Sequence, residues 1–299
     1  MSIVGILAAF INPAAHSLSN IFDAYIIGNL FKKTSTAVFY ANITNIIGPL
    51  ALLFIGPIHL LPLSVLPYAL LIGLINIGYL FPYYKALKTT DTSIVAALFS
   101  LERLFVPFWA YMIVGEIMKP VQYAGLGIII TASLVLNIEN PKRVKINSGF
   151  WLMLSATVIL SFETVLYKRI LLQTDWVSAA FWCACLTYVF RWFILCHKSA
   201  RQDIIKNLPE YKAHLAQFCF IEIFDQLGNL APVFALASIP VLVETSITST
   251  QPIFVMICGY FLTILFGNRF KENLSPREMI KKIICFILIG IGISLAIGI

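Results

Sequence analysis

The stretch ALFSLERLFVPFWAYMIVGE, residues 97–116, decides the fold class of this chain. It is apolar over about 20 residues, the length at which a helix crosses the ~30 Å hydrocarbon core of a bilayer. Near its middle lie Glu102 and Arg103, and a charge at that depth costs about 2.5–3.5 kcal/mol to insert. Adjacent side chains on a helix do not face each other, so each of the two needs a partner on another helix or on a ligand.

The composition of the whole chain agrees with this stretch. Of its 299 residues, 60% are hydrophobic and 12% are charged, whereas about 25% of the residues of a soluble domain are charged. Such a chain has too few polar groups to cover a water-facing surface, so we interpret it as an integral membrane protein in a lipid bilayer. Its net charge of +7 comes from loops, and we expect no nucleic-acid partner.

Apolar runs separated by charged, proline-rich or glycine-rich stretches predict an all-α protein with ten transmembrane helices, because only helices satisfy their own backbone hydrogen bonds in lipid. The predicted helices span 3–29, 36–56, 64–86, 92–114, 120–138, 149–170, 177–196, 213–236, 241–266 and 279–298. Nearly all loop lysines and arginines lie in the odd-numbered loops; the even-numbered ones hold only Lys119, Lys168 and Arg169. Positive charge marks the cytoplasmic side, so the odd-numbered loops are predicted to be cytoplasmic.

An internal repeat divides the chain into two halves. YKALKTTDTSIVAALFSLERLFVPFWAYMIVGEI, which begins at Tyr84, aligns without gaps on VFALASIPVLVETSITSTQPIFVMICGYFLTILF, which begins at Val233. Each stretch is followed by a glycine-rich closing helix. We predict a five-helix repeat at 1–140, a basic linker at 141–148 and a second five-helix repeat at 149–299. Because five is odd, the second repeat is inverted relative to the first, as in secondary transporters that bind substrate near the midplane.

These features resemble the EamA-like ten-helix transporters of the drug/metabolite transporter superfamily. The resemblance rests on Ala86-Leu87, Gly115-Glu116 and the two glycines Gly125 and Gly127. In the second half it rests on Ala235-Leu236, Pro252 and Gly267, with Asn268 where the family has an acid. It implies a multi-pass protein of the cell inner (plasma) membrane that transports metabolites.

The chain departs from that family pattern at one position. The proline expected in the fourth helix is replaced by Arg103, and the repeat places Glu102-Arg103 on Gln251-Pro252. This departure makes the pair the best pointer to what the protein recognises.

Polar residues at helical spacing on several predicted helices indicate a shared wet cavity, because lipid-facing positions would not tolerate them. The residues predicted to bind substrate are Asn12, His16, Asn42, Asn76, Tyr79, Tyr83, Glu102, Arg103, Glu163, Tyr167, Glu222, Asp225, Asn229 and Gln251. By contrast, Asp23, Lys85, Lys168, Arg191 and Glu244 lie near predicted helix ends, where snorkelling to the interface suffices.

Two roles remain open for Arg103 at this stage. It forms a buried salt bridge to Glu222, Asp225 or Glu163 that fixes helix packing, or it contacts an anionic group of a substrate. The acids outnumber it, which suits a cationic amine on the substrate or a carboxyl group that carries a coupling proton. A zwitterion satisfies both signs, so an amino acid or a similar metabolite is the favoured substrate. His16 is either a hydrogen-bonded structural residue or a proton relay.

We therefore predict a secondary active transporter that works by alternating access, coupled to an ion or proton or working by exchange. A multidrug or organic-cation exporter is the alternative. An intramembrane enzyme and a channel are disfavoured: the sequence has no zinc-protease, nucleophile-elbow or phosphate-loop motif. No ATP-binding motif is present either, so uphill transport needs an ion gradient. We expect no cofactor or metal, and a monomer or weak dimer.

Overall fold

The computed structural model describes residues 2–87, 98, 101–137, 148–251, 253–255, 257–258 and 276–297, and this part of the chain contains helices and no strand. Its α-helices are α1 Ile3–Leu30, α2 Thr34–Ala41, α3 Ile47–Leu52, α4 Leu66–Gly78, α5 Leu80–Leu87, α6 Glu102–Val114, α7 Pro120–Asn137, α8 Ser148–Leu171, α9 Trp176–Arg191, α10 Lys198–Lys206, α11 Leu208–Ala213, α12 Leu215–Leu236, α13 Val241–Thr248 and α14 Pro276–Ile297. The start of the predicted fourth helix, the end of the ninth, Pro252, Asn268 and residues 141–147 lie outside the described residues.

Within the described residues, four helical segments are long and apolar enough to cross a membrane. They are Leu66–Ala86, Ser148–Leu171, Trp176–Cys196 and Leu215–Leu236. Shorter apolar helices lie at Ile3–Ser19, Pro120–Ala132 and Ile283–Ala296. The chain is thus a multi-pass membrane protein whose described part is all helical; the full count of ten helices stays a prediction.

The second predicted helix is broken near its middle. Between α2 and α3, a 3₁₀ turn at Thr44–Ile46 replaces regular α-helix. Pro49 lacks the N–H that would bond to the carbonyl four residues earlier, and its ring would clash with that carbonyl. The break therefore turns Asn42 and Asn45 towards the protein interior. Irregular backbone at membrane depth is tolerated where it lines a cavity.

Helices of the two halves pack against each other in matching pairs. α1 packs against α12, and the helices that the predicted repeat equates with these two, α8 and the α4–α5 segment, also pack together. α6 packs against α8, just as α13 packs against α1. The closing helices α7 and α14 pack with each other. If each helix is replaced by the helix that the predicted repeat equates with it, every one of these pairs becomes another of them, except the α7–α14 pair, which becomes itself.

The closing helices meet through two glycines. A Cβ atom on Gly125 would lie 2.6 Å from the carbonyl oxygen of Gly292, and one on Gly292 would lie 2.8 Å from that of Gly125. Only glycine allows the backbones to approach this closely, as in other small-residue crossings of membrane helices.

The connection between α12 and α13 is held at both ends by charged side chains, Glu116 from the loop after α6 and Lys168 from α8. The Glu116 carboxylate accepts hydrogen bonds of 3.0 Å from the N–H groups of Val241 and Leu242. Lys168 Nζ donates to the carbonyls of Leu236, at 2.6 Å, and Ile239, at 2.8 Å. An anion at a helix N-terminus and a cation at a C-terminus both complement the helix dipole. Lys168 was expected to snorkel, and this expectation was wrong: it caps a helix end.

Candidate functional site

A polar cavity of about 250 Å³ lies among the helices of both halves. All fourteen residues predicted from the sequence to bind substrate line it. α12 contributes the longest polar stripe, with Glu222, Asp225, Gln226 and Asn229 spaced so that they share one helix face. Their placement is a finding; their role in binding stays a prediction.

One end of the cavity, which we call the Glu222 end, is a closed network of hydrogen bonds. Thr44 Oγ1 donates to Glu222 Oε2 at 3.1 Å, and Gln226 Nε2 donates to Glu222 Oε1 at 2.5 Å. The same Gln226 nitrogen donates to Asn45 Oδ1 at 3.0 Å. Glu222 itself is buried. Every carboxylate oxygen of Glu222 thus has a protein donor.

His16 and Asp225 extend this network across α1 and α12. Their Nδ1 and Oδ1 atoms are 3.5 Å apart. Asn12 Nδ2 donates to the carbonyl of Gly228 at 2.8 Å. A Cβ atom on Gly228 would lie 2.8 Å from three atoms of the His16 ring, so a glycine makes room for the imidazole.

Another part of the cavity lining, which we call the Arg103 end, is built by α6 and α13. The buried Arg103 guanidinium donates through Nη2 to the carbonyl of Thr248, at 3.1 Å, and to Gln251 Oε1, at 3.4 Å. Its Nε atom is buried and has no hydrogen-bond partner. Glu102 and Glu244 are the acids that interact with Arg103 electrostatically.

The salt-bridge role considered for Arg103 is absent from this structure. Glu163, Glu222 and Asp225 are all described, and none has a carboxylate oxygen within 4.0 Å of an Arg103 nitrogen. Glu222 is occupied by Thr44 and Gln226 instead.

The remaining wall of the cavity is formed mainly by the α4–α5 segment and α8. Asn76, Tyr79 and Tyr83 face Glu163 and Tyr167 across the cavity lining. Asn76 Nδ2 donates to Thr187 Oγ1 at 3.4 Å. This wall combines aromatic surface with amide and carboxyl groups, which suits an organic molecule with polar substituents.

Two further charged residues were wrongly expected to snorkel. Glu244 is 3% exposed and lines the cavity. Its signal in the sequence was helical spacing, because Glu244, Thr248 and Gln251 fall on one face of the ninth predicted helix.

Arg191 is 0% exposed. It donates to the carbonyl of Asn42 at the helix break, and its guanidinium lies 3.8 Å from the centre of the Tyr188 ring and 4.9 Å from that of Trp192. Aromatic faces stabilise a desolvated cation, so Arg191 is held inside the protein and not at the interface. The sequence carried no clear signal of this role.

Acidic groups outnumber fixed cations around the cavity. Among the described lining residues, Glu102, Glu163, Glu222, Asp225 and Glu244 stand against one guanidinium, that of Arg103. Within the described residues no cluster of three or more His, Cys, Asp or Glu side chains has the geometry to hold a metal ion.

Helices that cross the bilayer around an interior polar cavity define the protein as a multi-pass membrane protein of the transport type. Residues 3–138 match the model of the EamA-like transporter family. This part of the chain is similar to that family, which lies within the drug/metabolite transporter superfamily, and the resemblance drawn from the sequence is confirmed.

Other comparisons bear on the fold alone. A solved structure described as "Crystal structure of protein" has a TM-score of 0.66 and 18% sequence identity, and the match covers 98% of this chain and 96% of that one. Both halves of the chain therefore share their fold with a solved protein. No curated protein matches the chain.

Proposed function

We propose that this protein is a secondary active transporter that carries a small polar or amphipathic organic metabolite through the cavity. The favoured substrate is an amino acid or a similar zwitterion. One observation carries the proposal: the cavity presents a buried guanidinium and several carboxyl groups to the same interior space. Ionisable groups at membrane depth mark substrate or ion pathways.

Alternating access is the proposed mechanism, with the two five-helix repeats, 1–140 and 149–299, rocking about the cavity. The matching helix pairs between the halves support this architecture. Prolines within helices, Pro13, Pro107 and Pro232, and Pro49 at the helix break are candidate hinges. The Glu116–Lys168 clamp ties the halves together on the side of the even-numbered loops, where it would have to release for the cavity to open.

Coupling to a proton or another ion, or exchange of one metabolite for another, drives uphill movement in this proposal. The surplus of acids supports a coupling proton, which one of the carboxyl groups would carry. We place the protein in the inner (plasma) membrane with its basic loops cytoplasmic, working as a monomer or a weak dimer.

Export of organic cations or drugs is the second candidate function. The excess of carboxyl groups in the lining favours it, whereas a cation has no use for the buried Arg103. An enzyme or a channel has no comparable support from the cavity.

The test begins with a thermal-shift screen of purified protein against amino acids, amines, nucleosides and drugs. Hits are then measured by counterflow in proteoliposomes with wild type, Arg103→Ala and Asp225→Asn. We expect a zwitterion to be transported by wild type and transport to fall at least about tenfold in Arg103→Ala, the loss of one charged hydrogen bond. Transport at the wild-type rate in both variants would show that the substrate does not use this cavity.

A further inference from the structure

Few buried side-chain polar atoms of the described residues lack a hydrogen-bond partner. Among the described residues, the buried side-chain atoms without a hydrogen-bond partner belong to Arg103, Arg191 and Thr245. A buried donor without a hydrogen bond costs folding free energy, so each such atom in a native structure needs an explanation.

Contacts within the protein explain the unpartnered nitrogens of Arg191. The rings of Phe39, Tyr188 and Trp192 lie within 5.6 Å of its guanidinium carbon and supply negative faces to the charge. Its orphan nitrogens therefore need no ligand, and Arg191 does not line the cavity.

Arg103 Nε and Thr245 Oγ1 have no such cover, and both residues line the cavity. They are brought together by one hydrogen bond. Arg103 Nη2 donates to the carbonyl of Thr248, one turn along α13 from Glu244 and Thr245. The guanidinium is thus fixed against the same helix turn that carries the orphan hydroxyl.

Glu244 completes this group with the opposite charge. It is buried, it interacts electrostatically with Arg103, and no hydrogen bond or ion pair joins its carboxylate to another described residue. This turn and the Arg103 side chain bonded to it therefore bring a cationic donor, a hydroxyl and a carboxylate to one part of the cavity. The Arg103 Nε atom, the Thr245 hydroxyl and the Glu244 carboxylate have no hydrogen-bond partner among the described residues, whereas both oxygens of Glu222 have one.

We propose that Arg103, Glu244 and Thr245 form the subsite for the head group of a zwitterion, an inference that rests on the proposed transport function. The Arg103 Nε–H donates to the carboxylate of the substrate, Glu244 accepts from its ammonium group, and the Thr245 hydroxyl bonds to either. The body of the substrate lies along the wall that holds Asn76, Tyr79 and Tyr83.

The charges of this subsite favour a ligand that carries both a carboxylate and an ammonium group. A simple amine would leave Arg103 Nε unpaired and buried, and a simple carboxylate would leave Glu244 without a cation and close to a second negative group. Leaving a buried charge unpaired is the strongest form of discrimination available to such a site. The subsite is therefore expected to favour a molecule with a carboxylate and an ammonium close together.

The experiment compares three ligand classes in counterflow and thermal shift: amino acids, the matching amines that lack the carboxylate, and the matching acids that lack the ammonium. The variants are Arg103→Gln, Glu244→Gln and Thr245→Val, with Thr250→Val as the matched control. Thr250 is buried on the same segment, donates to the carbonyl of Ile247 and does not line the cavity.

Wild type is expected to prefer amino acids, with Arg103→Gln and Glu244→Gln each losing about 10- to 100-fold in affinity for them. Arg103→Gln should reduce the preference for amino acids over amines. Glu244→Gln should reduce the preference for amino acids over acids. Thr245→Val should lose less affinity for amino acids, about threefold to tenfold. Thr250→Val should bind them with wild-type affinity.

Three failures are distinguishable. If wild type transports amino acids and the subsite variants keep its ligand preference, the subsite is overturned and the transport function stands. If wild type transports amines as well as amino acids, the subsite is overturned in favour of the organic-cation alternative. If wild type binds and transports none of the three classes, the proposed function falls and the subsite with it.

Discussion

The two ends of the cavity are built from similar groups but differ in how those groups are satisfied. At the Glu222 end, carboxylate, amide and hydroxyl groups bond to one another across α12 and the broken second helix. At the Arg103 end, a guanidinium nitrogen and a hydroxyl are buried without partners. A satisfied network fixes structure, whereas orphan groups in a cavity mark the place of a ligand. We therefore assign a structural role to the Glu222 end and ligand recognition to the Arg103 end.

The largest effect on stability is expected from Glu222→Ala. The change strips Thr44 and Gln226 of their shared acceptor, and unmade buried hydrogen bonds cost about 1–3 kcal/mol each. We expect the melting temperature of the purified protein to fall by about 5 °C or more. Glu244→Ala, at the Arg103 end, is the control, and its melting temperature should fall far less. Equal losses in the two variants would remove the distinction between the ends.

Gly48→Ala tests the same network through sterics. A Cβ atom at Gly48 would lie 1.9 Å from Gln226 Oε1, so the amide must turn away from Glu222. We expect a loss of about 1–2 kcal/mol in unfolding free energy. Combining the change with Gln226→Ala should cost less than the sum of the two, because both remove the same contact.

The matched control for Gly48→Ala is Gly127→Ala, where an added Cβ meets nothing within 4 Å. That variant should be neutral or slightly stabilising, because alanine favours the helix over glycine. Strict additivity of Gly48→Ala with Gln226→Ala would show that Gln226 does not hold Glu222.

Thr245→Val should change stability in the opposite direction. The hydroxyl has no partner to lose, so replacing it with a methyl group is expected to raise the unfolding free energy by about 0.5–1 kcal/mol. Thr157→Val is the comparison, since Thr157 is also buried and donates to the carbonyl of Leu154 at 2.9 Å. Melting of the ligand-free protein measures both. A destabilised Thr245→Val would mean that this hydroxyl serves the framework.

The smallest effect comes from a partnered acid outside the cavity. Burial acts to raise the pKa of Asp175, but hydrogen bonds from the N–H group of Ser178, at 2.9 Å, and from its hydroxyl, at 2.7 Å, outweigh it and lower the pKa. A lowered pKa in the folded state gives stability that is present above the unfolded pKa of about 3.9 and is lost as the pH falls through the folded value.

Asp175→Asn should therefore lower the melting temperature slightly at pH 7, by the equivalent of up to about 1 kcal/mol. The gap to wild type should close as the pH falls below about 4. A melting series from about pH 3 to pH 7 checks this. A gap that does not change with pH would show that the capping bonds of Asp175 do not depend on its charge.

Much of the cavity was visible in the sequence because helical spacing and polarity suffice to find it. Asn12, Asn76 and Glu222 are conspicuous in apolar segments, and all fourteen predicted residues line one space. Glu244 and Arg191 were misjudged because distance from a segment end is a poor guide to depth when neighbouring helices cover that end. The break at Asn42 and the clamp by Glu116 depend on contacts between halves, which periodicity within one helix does not encode.

The partners of Arg103 illustrate the same limit. The sequence offered three carboxylates on other helices, and the structure gives it a backbone carbonyl and Gln251 instead. Which polar groups face each other is set by how the helices rotate and cross, so charge counting predicts that a cavity is polar but not which of its groups are left free.

The most direct test of the account is a structure of the protein with a transported zwitterion bound. We predict that its carboxylate lies within about 3.2 Å of Arg103 Nε, a hydrogen-bond distance, with its ammonium group on Glu244 and the Glu222 network unchanged. A zwitterion seated instead on Glu222 and Asp225, with Arg103 Nε still unpaired, would contradict the assignment of recognition to the Arg103 end.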